Sequence, residues 1–471
     1  MSIFSKFSRA FWVANVLELF ERWAWYGFFM LFANYLTGSS DAGGLEFTQS
    51  QKGILMGVGT GILYFLPVLT GAIADRHGYK RVLLLAFLVY ASAFLLLPMF
   101  SSFTAVFLMY LYLAVGAALF KPVISATVAK TTDKSTASIG FGIYYMMVNV
   151  GAFFGPVVTL LYNDNYRVVF YISAGVILLN LALLCLYKEP GRSERAPSRS
   201  LAITFKEIFA SMFGIFKDTR FILFLLIAAG FWTMYNQLFF TLPVFISQWV
   251  DTSALYDFCA RYIPFVSRHY SPSPGEIDAE FVTNFDALYI ILLQVAVSTI
   301  VMRLKPLKSM ISGFLVCSIG MALTLFSQNV LFTLVAMLVF AVGEMAGSPK
   351  ITEYIGAIAP ADKKALYMGY SFIPIFLGNV FAGLISGSVY QGMSDKVTIT
   401  REYAREQGFA IADGLSQGEY FDEVARQAGM NGRELTDLLW NTYSPSSIWL
   451  VVLVIGLSAT LLLFIYDRYK R

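Results

Sequence analysis

The chain contains twelve apolar stretches, which are separated by polar connections. A helix needs about 20 mostly apolar residues to cross a bilayer, so each stretch is a candidate transmembrane helix. The stretches lie near residues 11–36, 50–74, 82–99, 103–127, 139–162, 167–187, 219–249, 285–302, 310–326, 330–357, 364–390 and 445–466. The pattern predicts an all-α integral membrane protein with twelve transmembrane helices.

The composition agrees with a membrane protein and argues against other classes. Of 471 residues, 57% are apolar and 14% are charged, whereas an average soluble domain has roughly 25% charged residues. The net charge of +4 comes from scattered basic residues, which argues against a nucleic-acid-binding surface. The three cysteines are odd in number and predict no disulfide framework. The first apolar stretch contains charges and lacks a cleavage pattern, so we expect a retained helix and no signal peptide.

A polar connection divides the twelve stretches into six plus six. The segment "KEPGRSERAPSRS", which begins at Lys188, is rich in Arg, Ser and Pro, as is typical of a linker. We therefore predict three parts: an N-terminal six-helix bundle at 1–188, a cytoplasmic linker at 189–218 and a C-terminal six-helix bundle at 219–471.

The distribution of basic residues predicts the orientation in the membrane. Lys and Arg are enriched in cytoplasmic loops, and here they cluster in loops that follow even-numbered stretches. These residues are Arg76, Lys80, Arg81, Lys130, Lys134, Arg303, Lys305, Lys308, Lys363 and Lys364. We therefore expect a multi-pass protein of the inner or plasma membrane with both termini in the cytoplasm.

Two longer segments, 251–284 and 391–444, then fall on the outer side. Apolar residues in the second segment have helix-like spacing. We expect it to form a small ordered cap, in preference to a mobile lid or a receptor surface.

The first stretch contains three charges in "VLELFERWAWYGF". Glu18, Arg22 and Tyr26 are spaced i, i+4, i+8, and Glu21 adjoins Arg22, so the group occupies one side of a helix. A charge near the bilayer centre costs about 2.5–3.5 kcal/mol on insertion scales, which predicts that this side faces protein or a watery cavity. A buried ion pair that only fixes helix packing is the alternative.

Further polar residues at similar depth favour a functional cavity over a packing ion pair. Lys121, Asn149 and Glu344 lie in the fourth, fifth and tenth stretches, and Tyr64 adds a hydroxyl group in the second. Charges contributed by both halves are typical of a transporter site at the membrane midplane, between the halves.

The loop "GAIADRHGYKR" at residues 71–81 resembles the cytoplasmic loop motif of the major facilitator superfamily. It follows the second of twelve stretches, which is where the superfamily carries the motif. The resemblance implies a role in conformational gating for Asp75 and Arg76, with no contact to substrate.

Five segments in order resemble the proton-dependent oligopeptide transporter family, also called the peptide transporter family. They are "ELFERWAWY", "FKPVISATVAK", "FGIYYMMVNVGAFFGP", "FWTMYNQ" and "GEMAGSP". The resemblance implies a six-plus-six bundle and proton-coupled import of di- and tripeptides by alternating access. The alternative within the superfamily is a proton symporter for another small anion or conjugate.

The resemblance also implies roles for individual residues. Glu18 and Glu21 would carry the coupling proton together with Arg22 and Lys121. The same two cations would meet the substrate carboxylate, while Asn149 and Glu344 would hold its amino group. The substrate-binding residues implied by the resemblance are Arg22, Tyr26, Tyr64, Lys121, Asn149 and Glu344.

One departure from the family pattern concerns the seventh helix. Where the family has an acidic gate residue, this chain has Asn236, and Asp286 stands at the start of the eighth stretch. Asp286 either supplies the missing gate charge or simply caps its helix, where the helix dipole favours an acid.

Other functional classes fit the sequence less well. A membrane enzyme would need a nucleophile with a base or a metal cluster, but His77 and His269, the two histidines, both lie outside the apolar stretches. We expect no enzyme activity, no cofactor and no metal, with small peptides, protons and the lipid bilayer as partners and a functional monomer. A channel remains as an alternative, which saturable and proton-driven uptake would exclude.

Overall fold

The computed structural model describes residues 7–133, 136–162, 165–190, 206, 210, 218–359, 367 and 369–469. Twelve long helices, which we name α1 to α12, make up the bundle. They are Arg9–Thr37, Gln49–Phe65 with Pro67–His77, Tyr79–Leu96, Phe103–Lys130, Ala137–Thr159, Tyr166–Leu183, Thr219–Tyr235, Phe285–Val301, Pro306–Leu323, Val330–Ile358, Phe372–Leu384 and Ile448–Tyr469. The predicted linker at 189–218 lies almost entirely outside the described residues, as do Lys134, Lys363 and Lys364.

Ten of the described helices are long and apolar enough to cross a membrane, or eleven if the two parts of α2, which meet at 40°, form one span. The remaining helix, α1, contains the three charges at Glu18, Glu21 and Arg22. The prediction of an all-α membrane bundle is confirmed. A protein that exposes this much apolar helix surface is embedded in lipid.

Three of the spans are interrupted near the same end of the bundle. α7 continues as Gln237–Phe240 and Leu242–Trp249 after breaks at Asn236 and Thr241. α11 continues through a π-helical turn at Ile385–Val389. A short helix, Ala279–Thr283, leads directly into α8. Such interruptions are tolerated inside a membrane protein where the backbone lines a cavity or is covered by protein.

The segments at 251–284 and 391–444 lie at this end, which we call the cap end. The first contains the helices Ser253–Tyr262 and Pro264–His269. The second contains three helices, in agreement with its predicted spacing, at Lys396–Glu406, Gln417–Gln427 and Gly432–Tyr443. We refer to these three helices as the cap.

At the cap end the two halves pack tightly along α2 and α11. Gly53 and Gly57 of α2 face Gly383 and Gly387 of α11, and a Cβ atom at Gly57 would lie 2.9 Å from the Cα of Gly383. Two small-x-x-x-small motifs therefore meet across the seam, and such motifs let helix backbones approach closely in membranes.

Hydrogen bonds also join the halves at the cap end. Lys52 Nζ, which is fully buried, donates to the carbonyl of Phe240 at 2.9 Å. Asn34 Nδ2 donates to Glu280 Oε1 at 2.7 Å, and Gln49 Nε2 donates to Asp395 Oδ1 at 3.0 Å. These bonds close the seam between the halves at this end.

The cap adds a second connection, to the loop between α1 and α2. The Ser416 hydroxyl donates to Asp41 Oδ2, the Gln417 amide donates to Glu46 Oε1 at 3.1 Å, and the Gly418 amide donates to Ser39 Oγ at 3.2 Å. Two carboxylates of the first half thus hold the N-terminus of Gln417–Gln427, where the helix dipole favours negative charge.

Candidate functional site

The charged stripe of α1 is buried and internally paired. Glu18, Glu21 and Arg22 are each at most 5% exposed. Arg22 Nε lies 2.5 Å from Glu21 Oε2 and 3.4 Å from Glu18 Oε1. The Tyr90 hydroxyl of α3 donates to Glu21 Oε1 at 3.1 Å. The stripe therefore faces the interior of the first half, as its spacing predicts.

Lys121 of α4 adds a second cation to this cluster. Its Nζ lies 4.0 Å from the ring centroid of Tyr64 on α2, within the distance at which an ammonium is attracted to an aromatic face. Glu18 and Glu21 act on it electrostatically. This cluster in the first half thus consists of two carboxyl groups and two cations.

Two carboxyl groups of the second half, those of Glu344 and Asp286, are buried near each other. Glu344 of α10 accepts a hydrogen bond from the Tyr235 hydroxyl at 2.9 Å, and its Oε2 atom is buried without a partner. Asp286 of α8 is 5% exposed, its Oδ1 atom is also buried without a partner, and Glu344 acts on it electrostatically. Among the described residues, no lysine or arginine lies within 4.0 Å of either carboxyl group.

A cavity of about 180 Å³ lies at the seam between the halves. The residues that line it come from α1, α2, α7 and α11. They are Trp25, Tyr26, Phe29, Thr60, Tyr64, Trp232, Tyr235, Asn236, Phe239, Ile375 and Asn379. The volume is below the roughly 300–1,000 Å³ of pockets for drug-sized ligands, so this conformation suits a small solute.

Three tyrosines stand between the cavity and the charged groups. The Tyr26 ring centroid is 5.9 Å from the Arg22 guanidinium carbon. The Lys121 ammonium lies over the ring of Tyr64, and the Tyr235 hydroxyl donates a hydrogen bond to Glu344. The cavity is therefore bordered on one side by the cations of the first half and on the other by the carboxyl groups of the second.

Of the residues predicted to bind substrate, Tyr26 and Tyr64 line the cavity, and Arg22, Lys121 and Glu344 lie directly behind its wall. Asn149 does not line it. Its Nδ2 atom donates to the carbonyl of Tyr145 in its own helix, at 2.8 Å. The structure therefore gives Asn149 no direct access to the cavity in this conformation.

The predicted gate residues are distributed over the molecule. Asn236 lies at the first break in α7, lines the cavity and has a buried Nδ2 atom without a partner. Asp75 accepts a hydrogen bond from the Tyr79 hydroxyl at 3.0 Å, and the turn between Arg76 and Tyr79 uses Gly78 at a φ of 93°, which glycine adopts without strain.

Asp286 lies in the first turn of α8, where the helix dipole favours an acid, but it makes no capping hydrogen bond. The start of α8 has no side-chain cap hydrogen bond, and the N-cap position is occupied by Asn284 in a helical conformation. The preceding helix already supplies acceptors for this region, since the Asn284 amide donates to the Glu280 carbonyl at 3.0 Å. The Asp286 carboxyl group instead lies near Glu344.

Sequence reasoning missed Tyr235, Tyr90 and Asn379. Tyr235 precedes Asn236 within "FWTMYNQ", so its position was available, but nothing in the sequence showed that it binds Glu344. Tyr90 lies in an ordinary apolar run, and no sequence signal distinguishes it. Its contact with Glu21 depends on how α3 packs against α1.

Comparison with known proteins gives the family. The family model described as the Major Facilitator Superfamily matches residues 12–260. The Na(+), Li(+), K(+)/H(+) antiporter of Planococcus maritimus is 22% identical over 384 residues, which is 77% of this chain and 87% of the antiporter. Dipeptide and tripeptide permease A of Pectobacterium carotovorum is 26% identical over 235 residues, or 49% of this chain and 44% of the permease.

A solved structure supports the same fold. The fold is similar to that in the crystal structure of a POT family transporter in complex with 5-aminolevulinic acid, with a TM-score of 0.67 and 16% sequence identity. The superposition covers 98% of this chain and 100% of the transporter chain. At this identity the similarity shows the fold alone. With a superfamily match over more than half of its residues and twelve long helices in the part of the chain that the structure describes, the chain is a multi-spanning membrane protein of the Major Facilitator Superfamily.

Proposed function

We propose that the protein is a proton-coupled symporter of di- and tripeptides that works by alternating access. The observation that carries the proposal is the charge arrangement around the central cavity. Arg22 and Lys121 lie behind its wall in the first half. Glu344, with Asp286 near it, lies behind Tyr235 in the second half, and among the described residues no cation pairs with either carboxyl group.

A free peptide is a zwitterion, and this arrangement is complementary to both of its ends. Arg22 and Lys121 meet the carboxylate, Arg22 with a planar group that can bind two oxygens at once. The ammonium group fits between Glu344 and Asp286, whose buried oxygens lack partners. A simple anion would leave these two carboxyl groups without a counter-charge, which favours a peptide over the anion or conjugate alternative.

The similar proteins support this substrate class. The name of one relative describes a permease for dipeptides and tripeptides, and 5-aminolevulinic acid, bound in the similar structure, also carries an amino and a carboxyl group. By the resemblance of the motifs, the substrate-binding set is Arg22, Tyr26, Tyr64, Lys121, Asn149 and Glu344.

Proton coupling is assigned to the cluster on α1. Glu18 and Glu21 share Arg22, so a substrate carboxylate that draws Arg22 away leaves a buried glutamate without its counter-charge. Such a group favours its protonated form. Binding of substrate and binding of a proton thereby support each other, as symport requires.

The proposal also covers the orientation of the protein in the membrane and the gates that close the two ends of the bundle. Because the basic residues cluster in loops on one side, we infer that both termini lie in the cytoplasm and that the protein lies in the inner or plasma membrane. The monomer is the functional unit. The cap end then faces outward, and Asp75, Arg76, Asn236 and Asp286 serve the gates.

The experiment that tests the substrate is uptake of labelled dialanine into proteoliposomes with an imposed pH gradient. Competition is measured with free dialanine and with its N-acetylated and C-amidated forms. We expect the free peptide to compete at least tenfold better than either blocked form. Equal competition by all three would refute the zwitterion assignment, and preferred competition by acetylated peptide would favour the anion alternative.

The same assay tests the coupling residues. Glu21→Gln removes the charge that Arg22 and Tyr90 contact, so we expect loss of accumulation driven by the pH gradient, while Glu18→Gln reduces it. The exposed Glu402→Gln serves as the matched control and keeps wild-type accumulation. Undiminished accumulation in both α1 variants would remove these residues from the coupling mechanism.

A further inference from the structure

A second and larger cavity, of about 330 Å³, lies outside the central site at the cap end. It is enclosed by the end of α7, the loop before α8 and the cap. Trp249 and Glu276 contribute to its wall from the first two of these elements, and Lys396, Phe421 and Asp437 from the cap. None of these residues belongs to the central cavity or to the charged clusters behind it.

Lys396 is the central cation of this cavity. It is the first residue of a cap helix and is only partly exposed. Its Nζ lies 4.3 Å from the ring centroid of Phe421 and 5.7 Å from that of Trp249, so two aromatic faces hold the ammonium. Among the described residues, no carboxylate lies within 4.0 Å of it.

The remaining charges of the cavity are arranged around this cation. Arg433 is paired with Asp251, so these two cancel. Glu276 and Asp437 line the cavity and act on Lys396 electrostatically. Among the described lining residues, one cation and two anions remain outside this ion pair, and Glu276 also accepts a hydrogen bond from the Ser273 hydroxyl at 2.8 Å. A ligand with both an ammonium and a carboxylate matches this set better than a simple ion of either sign.

The cavity continues toward the seam between the halves. A neighbouring cavity of about 270 Å³ shares Gln248, Lys396 and Phe421 with it and reaches Asn34 and Thr37 of α1. Asn34 is one of the residues whose hydrogen bonds join the halves at the cap end. The neighbouring cavity thus connects the cap cavity with the closed seam between the halves.

We propose that the cap cavity is an outer binding site for small amino carboxylates, with Lys396 on the carboxylate and Glu276 and Asp437 on the ammonium. The choice of ligand rests partly on the proposed function, since the same class would fill the central site. The outer site gathers substrate at the mouth of the transporter before the cap end opens.

Equilibrium binding of labelled dialanine to purified full-length protein tests the proposal. The central site is first disabled by Arg22→Ala, so that binding to the outer site is measured alone. We expect one equivalent to remain bound in this variant. Adding Lys396→Met should weaken it at least tenfold, because a charged hydrogen-bond partner is lost, and Lys396→Arg should restore most of the affinity.

Matched controls keep the outcome decisive. Lys308→Met removes an exposed lysine at the opposite end of the bundle and should leave binding unchanged, and melting temperatures identify any variant that fails to fold. Absence of binding in Arg22→Ala, or binding that a folded Lys396→Met leaves intact, would overturn the outer site. Failure of dialanine uptake with retained outer binding would instead count against the proposed function alone.

Discussion

At the scale of single residues, the charged groups of the central site act through tyrosines. Tyr26, Tyr64 and Tyr235 form the wall of the cavity, and each contacts a charged group behind it. A phenol combines an apolar face with a polar end. It can therefore separate a buried charge from the cavity and still form a hydrogen bond with a ligand. The charges are thereby held at defined positions without being exposed to the empty cavity.

Tyr235→Phe tests this role in the second half. The hydroxyl group holds Glu344 Oε1 at 2.9 Å and leaves Oε2 free for a ligand. Without it we expect the half-saturation concentration for dialanine uptake to rise about tenfold, as for loss of a hydrogen bond to a charged group. Tyr171→Phe, on the exposed surface of α6, should behave as wild type. An unchanged half-saturation concentration would show that Tyr235 does not position Glu344.

The hydrogen bonds of Glu46 predict that pH affects the contact between the cap and the loop that joins α1 and α2. Partial burial acts to raise the pKa of Glu46, but hydrogen bonds from Ser40, Gln417 and Ser39 outweigh it and lower the pKa below its usual value. Separation of the cap from the loop removes the bond from Gln417 and lets the pKa rise, so the separated state binds the proton more tightly. The contribution of Glu46 to closure is complete above the ordinary pKa of about 4.3 and disappears as the pH falls through the lowered pKa.

The distance across the cap end can be measured between spin labels on cysteines at the exposed positions Thr104 and Arg405. The labels are introduced in a Cys185→Ser background, because Cys185 is an exposed thiol. The wild type should shift toward longer distances in acid. Glu46→Gln should show longer distances already at pH 7 and respond less to acid. Identical distance distributions for both proteins at every pH would contradict the assignment.

At the scale of elements, the α2–α11 contact determines how tightly the cap end closes. A Cβ atom at Gly53 would collide with the backbone of Gly383 and Gly387, and backbone atoms cannot move aside as a flexible side chain can. Gly53→Val should therefore separate the helices, lengthen the Thr104–Arg405 spin-label distance and lower the rate of uptake several-fold. Gly175→Ala on α6, where nothing lies within 4 Å, is the control. Wild-type distances in Gly53→Val would show that the seam tolerates bulk.

At the scale of the whole molecule, alternating access requires the two halves to separate at the cap end. Ser50 Oγ of α2 and Ser388 Oγ of the α11 continuation lie 3.3 Å apart across the seam. Cysteines at both positions should form a disulfide that holds this end closed. Oxidation should abolish dialanine uptake by the double variant, and a reductant should restore it. The two single variants, in the Cys185→Ser background, control for each substitution, and full activity of the oxidised, cross-linked protein would refute the need for opening there.

The class of fold and most of the charged residues of the site follow from local properties of the chain. Apolar length and residue type act locally: a run of about 20 apolar residues can cross lipid only as a helix with its backbone paired, and charges such as Glu21 and Arg22 within it must face inward. The burial of the α1 stripe follows from that rule without any knowledge of its neighbours.

Which groups meet depends on how the helices pack. Tyr235 reaches Glu344 across 109 residues of chain, and the approach of Asp286 to Glu344 depends on how α8 packs beside α10. The structure also shows that Asp286, in the first turn of α8, makes no capping hydrogen bond and that Asn149 bonds to its own helix. Contacts of this kind depend on helix rotation and crossing, which the apolar surface of a membrane helix leaves undetermined, because lipid and protein are almost equally favourable surroundings for it.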